Sequence, residues 1–232
     1  MKPAIFPLAR PVAWKIGALL SVAAVIAAIA PFDRAFDAAT MGIPAVRAAA
    51  IIGLAVIGIV AAPGAGLQFA PADRKGPILV PLAAAVAVAV WCVAIDWLFR
   101  AQLHPGYAAF IQQVPVAERI LLFAMRAVNE NILYRLFVTT LLVAAIGRFW
   151  RAGTRPAGGA YWMAIIFAQV INVVITVAGP TTPLLVLHDG LRYVVPGVVW
   201  GWLYWRRGFQ SVEIACTSVH VALQPLLTLA LG

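Results

Sequence analysis

Seven stretches of mainly apolar residues, 14–30, 43–62, 77–99, 117–147, 160–179, 184–205 and 209–231, fill most of this chain. Each is close to the ~20 residues a helix needs to cross a hydrocarbon layer. Pro and Gly punctuate the gaps, at Pro31, Pro63-Gly64, Pro71, Pro105-Gly106, Gly153, Pro156 and Gly179-Pro180. Hydrophobic residues make up 64% of the 232, and Lys, Arg, Asp and Glu together only 11%. A soluble domain is nearer half apolar and a quarter charged, so these few charges cannot build a water-facing surface. The sequence therefore predicts an all-α, polytopic integral membrane bundle of about seven transmembrane helices. The first run, flanked by Lys2, Arg10 and Lys15, is long enough to be a retained helix rather than a cleaved leader.

A net charge of +9 invites a nucleic-acid reading, but the basic residues sit singly or in small groups between apolar runs. Such loops report orientation and lipid contact, so the bilayer is the expected partner and nucleic acid is not. With the N-terminus cytoplasmic, the inner segments hold Lys2, Arg10, Lys15, Arg74, Lys75, Arg148, Arg151, Arg155, Arg206 and Arg207. The outer connections hold only Arg34 and Arg100, with Arg47, Arg119 and Arg192 at helix mouths. This asymmetry predicts a multi-pass protein of the cell's inner membrane. Trp97, Trp150, Tyr161, Trp162, Trp202 and Trp205 are placed as interfacial aromatics. Cys92 and Cys216 fall inside apolar runs and read as small core residues. His104 and His188 read as solvated loop histidines.

Ionisable and amide side chains inside lipid are costly and tend to mark a site. In the fourth helix Arg126 and Glu130, and Asn131 and Arg135, are spaced i, i+4, so each pair shares a face. Glu130 lies about sixteen residues, roughly 24 Å, from the inner end of its helix. In the seventh helix His220 and Gln224 stand one turn apart, with Glu213 and Thr217 extending the stripe. The fifth helix carries Gln169 and Asn172. Three helices thus bring polar groups to a similar depth, which predicts one shared polar cavity. The alternative is interhelical hydrogen bonding, worth of order ~1 kcal/mol per contact. Small residues, at Gly53 with Gly58 and from Ala83 to Ala89, would pack either internally or against a partner.

The segment Glu130-Asn131-Ile-Leu-Tyr-Arg135 resembles the first motif of the CPBP (CAAX protease, bacteriocin-processing, Abi) family of intramembrane endopeptidases, which is two glutamates, three residues and an arginine. Glu130 falls on the water-activating glutamate and Arg135 on the arginine, while Asn131 replaces the second glutamate. Pro196-Gly197 through Gly201 and Tyr204 to Gly208 is similar to the family's glycine-spaced helix and the turn after it. His220, three residues and Gln224 resemble its final histidine and asparagine. The middle motif, phenylalanine with histidine four residues later, is altered: Phe167 is present, Ile171 takes the histidine position, and Asn172 is the nearest polar substitute.

The resemblance covers roughly residues 115–232 and implies a division into residues 1–110, a variable set of three N-terminal helices, and residues 111–232, a CPBP-like core. It implies an endopeptidase with Glu130, Arg135, Asn172, His220 and Gln224 at its site, acting on a peptide or membrane-protein substrate. Zinc wants about three good protein ligands, and Glu130, His220 and an amide make a poor set. The expectation is thus a site without a cofactor, Glu130 serving as general base and His220 polarising the carbonyl, with a divalent metal such as zinc as the alternative. Loss of the second glutamate and first histidine also admits a non-catalytic relative that binds or assembles a membrane complex. A small transporter or proton relay is a weaker third reading, because neither internal repeats nor broken mid-membrane helices are visible.

Overall fold

The computed structural model describes residues 10–70, 78–176 and 182–232. Lys2, Arg74, Lys75, Pro71 and Gly179-Pro180, used above to read loops and topology, lie outside these residues. The described chain is almost wholly helical: α1 Arg10–Ile29, α2 Arg34–Ala39, α3 Pro44–Ala61, α4 Leu79–Leu98, α5 Pro105–Gln113, α6 Val116–Glu130, α7 Thr140–Phe149, α8 Gly158–Thr176, α9 Pro183–Asp189, α10 Val195–Arg207 and α11 Phe209–Leu231. Two π-helical stretches, Asn131–Thr139 and Gly190–Val194, join α6 to α7 and α9 to α10 without a break. The chain is thus an all-α membrane bundle.

Among the described residues, five helices are long and apolar enough to cross a membrane: Pro44–Ala61, Leu79–Leu98, Val116–Phe149, Gly158–Ile175 and Phe209–Leu231. Ala13–Ile29 is apolar but shorter. The outside of the bundle is correspondingly apolar, with Val25, Val60, Leu79, Val90, Val174 and Leu229 all well exposed. Two short helices, α2 and α5, were not legible as elements. Asp33 caps α2, its Oδ1 accepting from the Phe36 amide at 2.8 Å. The gap around Gly153 closes as a small antiparallel hairpin, Arg151–Ala152 with Arg155–Pro156.

The 34-residue rod from Val116 to Phe149 is the axis of the fold. Its π-helical middle changes which residues face which neighbour. Tyr134 turns to α2, donating to Asp33 Oδ2 at 2.7 Å, and Arg135 turns to α8, donating to Gln169 Oε1 at 2.8 Å. Leu136 meets α3 at Gly58, where an added Cβ would lie 2.4 Å from the Leu136 carbonyl oxygen. Thr139 donates its hydroxyl to the Tyr134 carbonyl at 2.8 Å, a five-residue reach that suits the wider turn.

Helix α11 packs most extensively on α4 and then on α6 and α10. Its start is docked by Phe209 N and Gln210 N, which donate to Gln68 O at 3.0 Å and Phe69 O at 2.9 Å. Gly208 makes the approach at φ +86°, a conformation that disfavours side chains. The small residues divide: Gly58, Ala85 and Ala89 are buried, whereas Gly53, Ala83 and Ala87 are exposed.

Several sequence assignments change. Tyr161 is not an interfacial aromatic; it is buried, stacks on Trp205 at 4.6 Å and donates to Ala65 O at 2.9 Å. Trp97, Trp150, Trp162 and Trp202 do lie on the exterior. Arg119 and Arg47, expected at helix mouths, are buried. Arg119 bonds the Thr228 hydroxyl, and Arg47 donates to Ala27 O and Ala28 O at the end of α1. Each guanidinium satisfies groups of a neighbouring helix, which lipid could not do.

Gly58→Val should destabilise the detergent-solubilised protein by about 1–3 kcal/mol through overpacking, whereas Gly53→Val should stay within about 0.5 kcal/mol of the parent. Thermal unfolding of the two variants side by side checks the difference.

Candidate functional site

A cavity of about 440 Å³ opens between α4, α5, α6, α8, α10 and α11. Glu130, Arg135, Asn172, His220 and Gln224 all line it, with Arg126 and Gln169. Cys92 and Cys216, both free and buried, contribute to its wall. The convergence follows from helix geometry. His220 and Gln224 share one face of α11, Gln169 and Asn172 share one face of α8, and the π-helical stretch after Glu130 carries Arg135 round to α8.

Glu130 is gripped by Arg126, whose Nε donates to Oε1 at 2.5 Å across one helical turn. Both groups are partly open to the cavity. In a water-poor site an opposite charge this close compensates the carboxylate directly. His220 stacks its ring on Phe123 at 5.3 Å and 21°, and its Nδ1 is buried with no hydrogen-bond partner among the described residues. Gln224 is buried. Gln169 is clamped between Arg135 Nη2 and the Tyr193 carbonyl, to which its Nε2 donates at 3.2 Å.

The glycines of α10 explain how close these helices come. A Cβ on Gly197 would fall 1.9 Å from the Gln169 amide carbon, and one on Gly201 would fall 2.4 Å from an Ile165 methyl. Helix α10 therefore lies directly against α8, and Gln169 occupies the space a side chain at residue 197 would need.

Some residues singled out in the sequence do not join the site. Glu213 and Thr217 share the stripe of His220, but at 1.5 Å per residue Glu213 sits about 10 Å lower along α11. Glu213 lines a separate cavity with Lys15 and Phe69, and Thr217 bonds back to the Glu213 carbonyl at 2.5 Å. Asn131 is fully buried, does not line the cavity and makes no hydrogen bond to Arg135; it lies beside Glu213 and Cys216 of α11. Phe167 and Ile171 face outward, and the cavity face of α8 is the one bearing Asn172.

One cluster escaped the sequence reading. Asp96 of α4 is completely buried and holds four contacts: Arg192 Nε at 2.9 and 3.0 Å, His188 Nε2 at 3.0 Å and the Tyr107 hydroxyl at 2.8 Å. His188 Nδ1 lies 3.0 Å from Asp189 Oδ1. Burial above all, and then the Asp96 carboxylate, raise the Tyr107 phenol above its ordinary value, so it remains a donor. Tyr107, Asp189 and Arg192 line the cavity. His188 is thus a buried member of an ionic network, not a solvated loop residue; His104 is exposed and caps α5. The signal was present, since His188 and Arg192 are spaced i, i+4 and Asp96 stands alone in an apolar run. Nothing in the spacing said that 96 and 188 would meet.

Compared with known proteins, the chain matches no family model, no curated protein and no solved structure.

Asp96→Ala strips Arg192 and His188 of their shared carboxylate and should cost about 3–5 kcal/mol. Tyr107→Phe removes one hydrogen bond and should cost about 1 kcal/mol. Denaturant titrations in detergent measure both, and equal losses would contradict the ranking.

Proposed function

We propose that this chain is a membrane-embedded endopeptidase of the CPBP kind. The observation that supports this reading is the convergence of Glu130, His220 and Gln224, from two helices far apart in sequence, on one cavity. In the proposed reaction Glu130 takes a proton from water as that water adds to a peptide carbonyl. His220 and the Gln224 amide donate hydrogen bonds to the oxyanion that forms. Glu130 then returns the proton to the departing amine as the C–N bond breaks, leaving one carboxyl and one amine product. Arg126 orients the Glu130 carboxylate, and Asn172 offers a further amide along the peptide. Phe123, stacked on His220, fixes the plane of the imidazole. The proposed substrate is a peptide or membrane-protein segment that reaches the cavity from the bilayer. No metal is needed for these steps.

The same proposal includes seven spans in the cell's inner membrane. Helix α1 and the continuous helical stretch 183–207 would join the five long apolar helices, with the N-terminus cytoplasmic and the C-terminus outside. The basic hairpin at Arg151–Pro156 would then be cytoplasmic and the α4–α5 connection external.

A second reading is favoured by one contact. Arg126 occupies Glu130 Oε1 at 2.5 Å, and Asn131 stands where the CPBP motif has a second glutamate. A relative with its base so engaged would bind or assemble membrane partners without cutting them.

In proteoliposomes with candidate membrane peptides, Glu130→Gln and His220→Ala should each slow cleavage about a hundredfold or more. Identical fragment patterns from the parent and Glu130→Gln would rule out the peptidase. A stoichiometric co-purifying partner, unaffected by Glu130→Ala, would favour the second reading. For topology, a cysteine introduced at Gln102 should react with an impermeant maleimide in intact spheroplasts, and one at Gly153 only after lysis.

A further inference from the structure

Three arginines line the cavity, and two of them carry a carboxylate. Arg126 is paired with Glu130 and Arg192 with Asp96. Arg135 has no such partner. Only 5% of it is exposed, and its one hydrogen bond among the described residues goes to a neutral oxygen, Gln169 Oε1. No acidic group lies within ion-pair distance of it among the described residues. Glu130 is held by Arg126. Glu213 of α11, the nearest other carboxyl, acts on Arg135 only through space and lines another cavity. A guanidinium buried without a counter-charge is costly, and a buried cation is ordinarily paired.

The geometry around Arg135 is built. Gln169 is itself 4% exposed and fixed at both ends of its amide, by Arg135 and by the Tyr193 carbonyl. Gly197 keeps the space that Gln169 fills. One edge of the guanidinium is thereby anchored to α8, which leaves its remaining N–H groups for the cavity that Arg135 lines. A planar fork of N–H donors matches carboxylate and phosphate oxygens.

We propose that Arg135 anchors an anion-binding site: the cavity takes a ligand bearing a carboxylate or phosphate group, with an apolar remainder against Val88, Phe110 and Trp200. The ligand's oxygens accept from the Arg135 guanidinium and supply a counter-charge in direct contact with it. This site stands whether or not the cavity hydrolyses a peptide. An anionic lipid headgroup and a free amphiphilic anion present the same chemistry.

The test uses the full chain purified in neutral detergent, with octanoate and octyl phosphate as anionic probes and octanol as the neutral control. Both anions should bind saturably in calorimetry and raise the unfolding temperature, and octanol at the same concentration should do neither. Arg135→Gln should weaken anion binding about tenfold or more, and Arg135→Lys, which keeps the charge but loses the fork, should weaken it less. Glu130→Gln, which disables the proposed hydrolysis, should still bind the anions, so loss of activity and loss of this site are read separately. Nanodiscs of phosphatidylcholine with and without phosphatidylglycerol distinguish the source. Stabilisation that depends on phosphatidylglycerol and on Arg135 assigns a headgroup; stabilisation only by added octyl phosphate or octanoate assigns a free anion. The proposal is overturned if octanol stabilises the parent as well as octanoate does, or if folded Arg135→Gln binds the anions as tightly as the parent. Should Arg135→Gln not fold, the octanoate and octanol comparison on the parent and on Arg135→Lys decides alone.

Discussion

Polar groups enclosed by hydrocarbon must find partners inside the protein, and this constraint organises the structure. Asp96 gathers Arg192, His188 and Tyr107; Arg126 holds Glu130; Asp33 caps α2 and accepts from Tyr134; Arg47 closes the end of α1. Apart from the Arg126–Glu130 pair within α6, these contacts join elements that the apolar surfaces alone would leave free to slide. Hydrophobic burial supplies little specificity between helices already surrounded by lipid. Polar pairing and close small-residue contacts therefore set the register of this bundle.

The second organising feature is the approach of backbones at glycine. Gly58 admits the Leu136 carbonyl and Gly197 admits Gln169. The first fixes α3 against the π-helical centre of the long rod, and the second presses α10 onto α8. Together they hold the walls of the cavity near the points where Glu130 and Gln169 enter it. A π-helical stretch costs regular hydrogen bonding, and here it turns Tyr134, Arg135 and Leu136 to three different neighbours over three consecutive residues.

The cavity combines two electrostatic environments. On one side Arg126 and Glu130 form a compact pair beside His220; on the other Asp189 and Arg192 connect to the fully buried Asp96. Arg135 lies in the wall with only an amide for company. This uneven compensation distinguishes a cavity that can receive charge from one that merely fills with apolar side chains.

The sequence by itself determined that the chain is helical and lipid-facing, because apolar runs of this length with so few charges have no other stable solvent. It also singled out Glu130, Arg135, Asn172, His220 and Gln224, since polar residues are rare enough there to be noticed and helical periodicity tells which share a face. Periodicity reports angle around one axis and says nothing about the neighbour beyond it. It therefore extended the His220 stripe to Glu213, which lies too far along α11, and left His188 to solvent although Asp96 meets it from α4. It also left Arg47 and Arg119 at helix mouths, and it could not see the π-helical stretch that begins at Asn131. Only the tertiary structure decided those partners, because which helices touch depends on glycine-sized gaps and on pairings between residues as distant as 96 and 188.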